Sequence, residues 1–401
     1  MSPSAASVFQ ALEADLCAQL QALIDDPDLY IGNAVIDVLV PEQGWHIALA
    51  AGDAADDEPM TTAHPVHWAS VAKSLTAVLL FLQRDAGLLP VTDLDTPLAA
   101  FDLLPAPILE QLHCGPGGNH SGDITLNHLL RHTAGLRDAM VDDAAQKGAD
   151  AGGLAPDSLV GKLMAAPDGP YNQQWPIWNA ERSEDPLAGT LNHFFAERLG
   201  HAPLALPGER FSYSDTGYVL LGLLVEKLSG QSLHSLLRDE VLVPLGIEDA
   251  WLAYREPSPA VPAPAEVYLG DMPLLENGLS LSFDWGGGGV VSSVSSMNRI
   301  LGALISGELL SPASTALMRE WQTPSGLVTP RLSVGRGLFR TEPRDGELWG
   351  HSGSWGAKMF FAPQSGVFFS GTVNQVFASP TWHWDFIETV RRRLTQLEES
   401  A

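Results

Sequence analysis

The last third of the chain alternates as a sheet does, and this limits its fold more than any other feature. Gly335–Phe339, Glu347–Trp349, Ala357–Ala362 and Val367–Val373 read as strands, with a turn at Pro363–Gly366. Near the other end, Ala34–Val40 and Trp45–Ala51 read as an antiparallel hairpin joined across Pro41–Gly44. Before the hairpin, Ser4 can cap a helix whose stripe is Phe9, Leu12, Leu16, Leu20 and Leu23, ending near Asp26 and Pro27. A closing helix is expected over Trp382–Leu397, its Arg391, Arg392 and Arg393 forming a solvated end that complements the helix dipole. Helix, hairpin and further helix imply a sheet with helices packed on it.

After the hairpin comes His67-Trp68-Ala69-Ser70-Val71-Ala72-Lys73, opening an apolar run in which Val71, Leu75, Val78, Leu79 and Leu82 recur at helical spacing and Gly87 supplies a stop. Serine and lysine three residues apart share one face of a helix, where they can exchange a proton. Ser70 is therefore a candidate nucleophile and Lys73 its base, provided the lysine is buried or otherwise perturbed. The bland alternative is a helix-capping serine beside a solvated lysine. Partners elsewhere must decide.

A net charge of −26 argues against nucleic acid and against anionic membrane surfaces, both of which require basic patches. Two cysteines, Cys17 and Cys114, make no disulfide framework or metal knuckle. The first residues lack a basic start and an apolar core, and no apolar run approaches the ~20 residues of a membrane span. A cytoplasmic protein is expected. The sequence leaves its oligomeric state open.

In the middle of the chain, Ile124 to Leu136 opens with a threonine cap and reads as a short helix. Its His128 and His132 stand at i and i+4, but Leu129 occupies the place of a metalloprotease glutamate. Packing or capping is the expected role, and no metal. Residues 137–206 are long, acidic and irregular, which suits a functional flap. Trp175 and Trp178 there are candidate substrate contacts or simple anchors. Tyr213-Ser214-Asp215 follows a Pro-Gly turn and leads into an apolar helix, Val219–Leu228, closed by Gly230. Trp285-Gly286-Gly287-Gly288-Gly289 lacks the lysine and spacing of a phosphate loop and reads as a tight turn before a helix at Val294–Ile305.

Three of these stretches fit one chemistry, since hydrolysis by a serine needs a nucleophile, a proton shuttle and an oxyanion site. Ser70 and Lys73 are the first pair. Tyr213 can carry a second proton, its phenol expected to titrate low beside an ammonium. His351-Ser352-Gly353 lies on an expected strand, where glycine lets a substrate backbone approach and the next N–H, that of Ser354, faces a developing oxyanion.

Together these elements resemble the serine β-lactamase and penicillin-binding-protein superfamily, in its class C-like esterase and D-aminopeptidase branch. Ser70-Val71-Ala72-Lys73 matches S-x-x-K, Tyr213-Ser214-Asp215 is similar to Y-x-N, and His351-Ser352-Gly353 is similar to the K-T-G element in its H-x-G form. Leu94-Asp95, His128 to Leu136, Pro207-Gly208, Pro244-Leu245-Gly246 and Gly288-Gly289 match intervening markers in order. The resemblance implies an α/β (α+β) fold: an antiparallel sheet flanked by helices, formed by residues 1–68 and 270–401, with a mainly helical domain, 69–269, inserted between them. It makes Ser70 the acylated residue, gives Lys73 and Tyr213 the general-base and general-acid work, and puts the N–H groups of Ser70 and Ser354 in the oxyanion hole. It implies no cofactor.

Two departures stand out. Asp215 replaces the usual asparagine, so it can only accept hydrogen bonds when ionised, and it favours an ammonium on Lys73. The second is the added length at 137–206, which reshapes the acyl pocket. The activity implied is that of a serine hydrolase on small esters or amides, carboxylesterase-type because H-x-G lacks the lysine that anchors a β-lactam carboxylate. The alternatives are a peptidase or amidase for D-amino-acid or nonribosomal peptides, an acyltransferase, and, further off, a β-lactamase or a non-catalytic acyl-binding protein.

Overall fold

The structure is a computed structural model that describes residues 5–89, 94–115, 117–142, 154–259, 261–327, 329, 331–343, 346–376 and 378–399. Ser4 and residues 143–153 of the expected flap lie outside them. Five helices frame the fold: α1 (Ala5–Asp25), α2 (Lys73–Asp85), α3 (Asp215–Ser229), α4 (Val294–Ser306) and α5 (Trp384–Glu398). The strands of the main sheet are β1 (Asn33–Val40), β2 (Trp45–Ala55), β3 (Glu58–Pro59), β4 (Leu332–Val334), β5 (Phe339–Thr341), β6 (Leu348–Ser352), β7 (Lys358–Ala362) and β8 (Val367–Thr372).

The eight strands run in the order β4-β5-β6-β7-β8-β1-β2-β3, every pair antiparallel. The hairpin β1–β2 turns at Gly44, whose φ of 65° suits glycine, and pairs Val38 with Ile47. On its other edge β1 takes β8, with Val38 opposite Phe369. Strands from the two ends of the chain thus meet in mid-sheet. One expected strand, Gly335–Phe339, is instead largely the turn between β4 and β5. Gly337 in that turn has φ 79°, and a side chain there would come within 2.5 Å of the Ala77 Cβ of α2. The turn needs its glycine, so the strand breaks there.

One face of the sheet is covered by α1 and α5. The stripe of α1 buries Val8, Leu12, Leu16 and Leu20, and α5 buries Phe386, Ile387 and Val390 against Phe369 and Trp382. The basic run of α5 is not merely solvated: Arg393 donates to Asp15 of α1 at 2.7 and 3.0 Å and ties the two helices together. The other face carries α4, seated by a buried polar contact. Asp37 of β1 accepts from Ser295 at 2.5 Å and from Asn298 at 2.6 Å.

Beyond α4 lies the larger core, built around α2. Every residue of α2 from Lys73 to Phe81 is buried, so this stretch is apolar on all sides but for one lysine and two hydroxyls, and the helix packs against α3. A small sheet sets the entry to α2. Val290–Ser292 is its middle strand, with Val291 opposite both His67 and Trp251. This pairing places the turn after His67 beside the glycine run before Val290. Among the described residues no helix is long and apolar enough to cross a membrane.

Candidate active site

Ser70 lies in a 3₁₀ turn, Ala69–Ala72, that runs directly into α2. Ser70 is not the capping residue of either element, Trp68 preceding the turn and Ala72 preceding α2. Ala69 before it has φ 45°, a left-handed conformation costing on the order of 1 kcal/mol, at the residue that aims the serine. Lys73, first in α2, is fully buried. Its three N–H bonds are all directed: to Ser70 Oγ at 3.0 Å, to the Gly287 carbonyl at 2.7 Å, and to the Asp215 carboxylate. Burial alone would push this amine down, but the charge of Asp215, aided by Asp284, outweighs it and holds Lys73 well above the usual lysine range. The resting lysine is an ammonium.

Asp215 opens α3, and its backbone N–H donates to Asp138 Oδ2 at 2.9 Å. Asp138 is itself buried and accepts from Met140 N at 2.8 Å. Burial, then the charges of Asp215 and Asp142, raise Asp138 well above an ordinary carboxyl. Tyr213, just before α3, presents its ring 5.1 Å from Lys73 Nζ and stacks on His132 at 4.2 Å. Its hydroxyl is buried beside Ser70 and Lys73. Here the structure reverses an expectation. Burial raises the Tyr213 phenol, and the opposing pull of Lys73 does not overcome it, so the group is a phenol and not a phenolate. His132 has φ 55°, and its Nδ1 accepts from Ser214 N at 3.2 Å, which leaves the ring proton on Nε2. It supports the ring of Tyr213 from behind.

His351 closes the third side at the end of β6. Its Nδ1 donates to the Ser352 carbonyl at 2.8 Å and its ring leans on Phe339 at 4.8 Å. Burial, then Lys73, push it down to about 3, so it is a neutral support. It does not line the cavity in front of Ser70. A side chain on Gly353 would strike the Trp68 carbonyl, so the nucleophile turn packs directly on this glycine. Ser354 lines the cavity together with Ser70.

That cavity has a volume of about 110 Å³. Its walls are apolar, including Met140, Leu163, Leu274, Leu281 and Phe283, and its polar edge consists of Ser70, Ser354, Asp215 and Asp284. The described parts of the flap supply Met140, Leu154, Leu163 and Met164 to it. Trp175 and Trp178 do not line it. Trp175 is fully buried, donating from its backbone to Ser282 Oγ at 2.8 Å and from its ring to the Tyr171 carbonyl at 3.0 Å. Trp178 packs on Phe195 at 5.5 Å. Both anchor the flap to the body.

Sequence reasoning missed Asp284, which stands before the glycine run and beside the Lys73–Asp215 pair. The signal was an acid placed ahead of four glycines. Without side chains, Gly287 and Gly288 let its carboxylate lie against them: a Cβ on Gly287 would sit 2.5 Å from Asp284 Oδ1, and one on Gly288 would overlap Oδ2. His128 and His132 serve packing and capping. Thr125 Oγ1 accepts from His128 N at 3.2 Å while the His128 ring accepts from Thr125 N at 3.3 Å. Among the described residues no three possible ligands are grouped for a metal ion.

Comparison with known proteins identifies the family and the fold. The family model described as Beta-lactamase matches residues 32–385. The chain belongs to the Beta-lactamase family. Penicillin-binding protein 4* of Bacillus subtilis (strain 168) is 24% identical over 341 residues, covering 79% of this chain and 62% of that protein. The chain therefore spans less than two thirds of that relative's length, and it covers 34% of Penicillin-binding protein 4 of Amycolatopsis lactamdurans. Among solved structures, D-amino acid amidase from Ochrobactrum anthropi SV3, complexed with D-phenylalanine, superposes with a TM-score of 0.68 at 22% identity, over 96% of this chain and all of that one. EstCE1, a hydrolase with promiscuous acyltransferase activity, gives 0.67 at 20% identity, over 95% of this chain and 99% of that one. The β-lactamase-like fold, with its antiparallel sheet flanked by helices, is shared with both.

The packing of Gly288 gives a direct expectation. In Gly288→Ala the new methyl must displace Asp284 and press on the backbone of Ala69, one residue from the nucleophile. A shift of roughly 1 Å at a reacting group costs about 10²-fold in rate. Ester turnover should fall by that order while the circular dichroism spectrum stays native. A fully active Gly288→Ala enzyme would contradict this placement of Asp284.

Proposed function

We propose that this chain is a serine hydrolase that forms an acyl-enzyme on Ser70 and acts on small esters or amides with an apolar acyl group. The observation that carries the reading is the convergence of fully buried Lys73 and of Tyr213 on Ser70, which itself stands at the polar edge of an otherwise apolar cavity. Acylation requires the Ser70 proton to leave as Oγ attacks. Lys73 accepts it after passing one of its own protons to the adjacent Asp215 carboxylate, so two transfers over hydrogen-bond distances replace one unfavourable ionisation. Tyr213, kept as a phenol, donates to the leaving group. The N–H groups of Ser70 and Ser354 receive the oxyanion, each worth roughly 3 kcal/mol to the transition state. Water then attacks the ester on Ser70 and the transfers run in reverse.

Carboxylesterase-type activity is the leading form, because nothing cationic lines the described cavity to anchor an acidic substrate. An amidase for amino-acid derivatives is the second, favoured by Asp215 in place of asparagine and by the shared fold of D-amino acid amidase. A direct test compares p-nitrophenyl butyrate, the anilides of D- and L-leucine, and a chromogenic cephalosporin, with fluorophosphonate labelling of Ser70. Ester turnover with labelling is expected. Intact protein that neither labels nor turns over any of them would sink the hydrolase reading and favour an acyl-binding protein.

A further inference from the structure

Asp284 has no role in the proton path just described, yet it is the most anomalous group in the site. Its side chain is nine-tenths buried, its Oδ1 has no hydrogen-bond partner, and it lines the cavity. Lys73 cannot satisfy it. An ammonium has three donors, and those of Lys73 are taken by Ser70, Gly287 and Asp215. Two carboxylates thus face one cation at the edge of an apolar pocket. A buried carboxylate in that position needs either a proton or a cation of its own.

We infer that Asp284, with Asp215 beside it, is an ammonium subsite that selects acyl groups bearing a free amine next to an apolar side chain, as in amino-acid amides and esters. The inference rests on the hydrolase reading above and gives it a substrate class. Asp284 holds the ammonium, the leucine- and methionine-lined walls take the side chain, and Ser70 meets the carbonyl between them. Burial, then the neighbouring Asp215 charge, push Asp284 up to about 7. Near neutrality the empty subsite therefore carries a proton part of the time. Binding exchanges it: the substrate ammonium enters, the carboxyl proton leaves to solvent, and the buried charge is unchanged. A neutral acyl group of the same shape leaves Asp284 unpaired.

Calorimetric titration of the Ser70→Ala protein, which cannot acylate, compares D- and L-leucinamide with 4-methylpentanamide, the same molecule without its amine. At pH 7 the better leucinamide enantiomer is expected to bind about 10- to 100-fold more tightly, the range of a hydrogen bond to a charged group. Adding Asp284→Asn should collapse the ratio to within about 3-fold, since an amide cannot offset the ammonium charge. Equal binding of amine and non-amine on Ser70→Ala overturns the subsite, as does a ratio that survives a folded Asp284→Asn change. Should that second change unfold the chain, the ligand comparison on Ser70→Ala alone decides. Failure of the hydrolase reading looks different: wild-type Ser70 would then resist the fluorophosphonate whichever amide binds.

Discussion

Lys73→Ala will lower kcat/KM on any ester the wild-type chain cleaves by at least about 10²-fold, and it will also destabilise the fold. The rate loss follows from position. Lys73 Nζ donates to Ser70 Oγ at 3.0 Å, and it links that oxygen to Asp215. The stability loss follows from what is left behind. Asp215 loses its ion-pair partner and Asp284 its nearest cation, both with little access to water. Leaving a buried charge unpaired costs about 3–5 kcal/mol, part of which protonation of the two carboxyls can relieve. Thermal unfolding should accordingly show a lowered Tm, with the loss reduced at acid pH. A variant with wild-type turnover, or with unchanged Tm at neutral pH, would contradict this account of the pair.

Ser70→Ala will behave in the opposite way on stability. Turnover should drop to the uncatalysed background and fluorophosphonate labelling should vanish, because the hydroxyl removed is the one that Lys73 bonds at the edge of the cavity. The fold should be unharmed, since the substitution trims one hydroxyl at the edge of a cavity and leaves Lys73 its bonds to Gly287 and Asp215. Tm within about 1 °C of wild type is the expected result, as for substitutions that make no cavity and break no buried pair. Labelling that persisted in this variant would move the nucleophile elsewhere.

Local spacing made part of the site legible. Ser70 and Lys73 are three residues apart on one helical run, so their proximity needs no tertiary information. The hairpin at residues 33–55 was readable for the same reason, its register being set by a short turn between two adjacent apolar runs. Asp284 was not readable, because its place beside Lys73 depends on the pairing of Val291 with His67, more than 200 residues apart. The direction of the Tyr213 shift was lost on the same ground. A charge beside it can be read from motifs, whereas the desolvation that outweighs that charge exists only once α2 and α3 close over it. Trp175 and Trp178 show the ambiguity of aromatics in a long loop, where binding a ligand and pinning the loop leave the same composition.

The meeting of β8 with β1 in mid-sheet has a consequence for synthesis on the ribosome. The hairpin β1–β2 emerges early, but the partner for its inner edge, Phe368 to Thr372, is made about 330 residues later, roughly 15–60 s at ordinary elongation rates. Through that interval the nascent chain exposes an unpaired strand edge made of Ala34, Val35, Ile36 and Val38, the kind that pairs with the wrong neighbour. The elements around Ser70 are translated in the meantime, but the turn ahead of the nucleophile waits for Gly353 to pack against Trp68. Catalytic competence should therefore arrive only once β8 has been made and has reached β1, in a single late closure, and truncation on either side of the β1–β8 seam should abolish it.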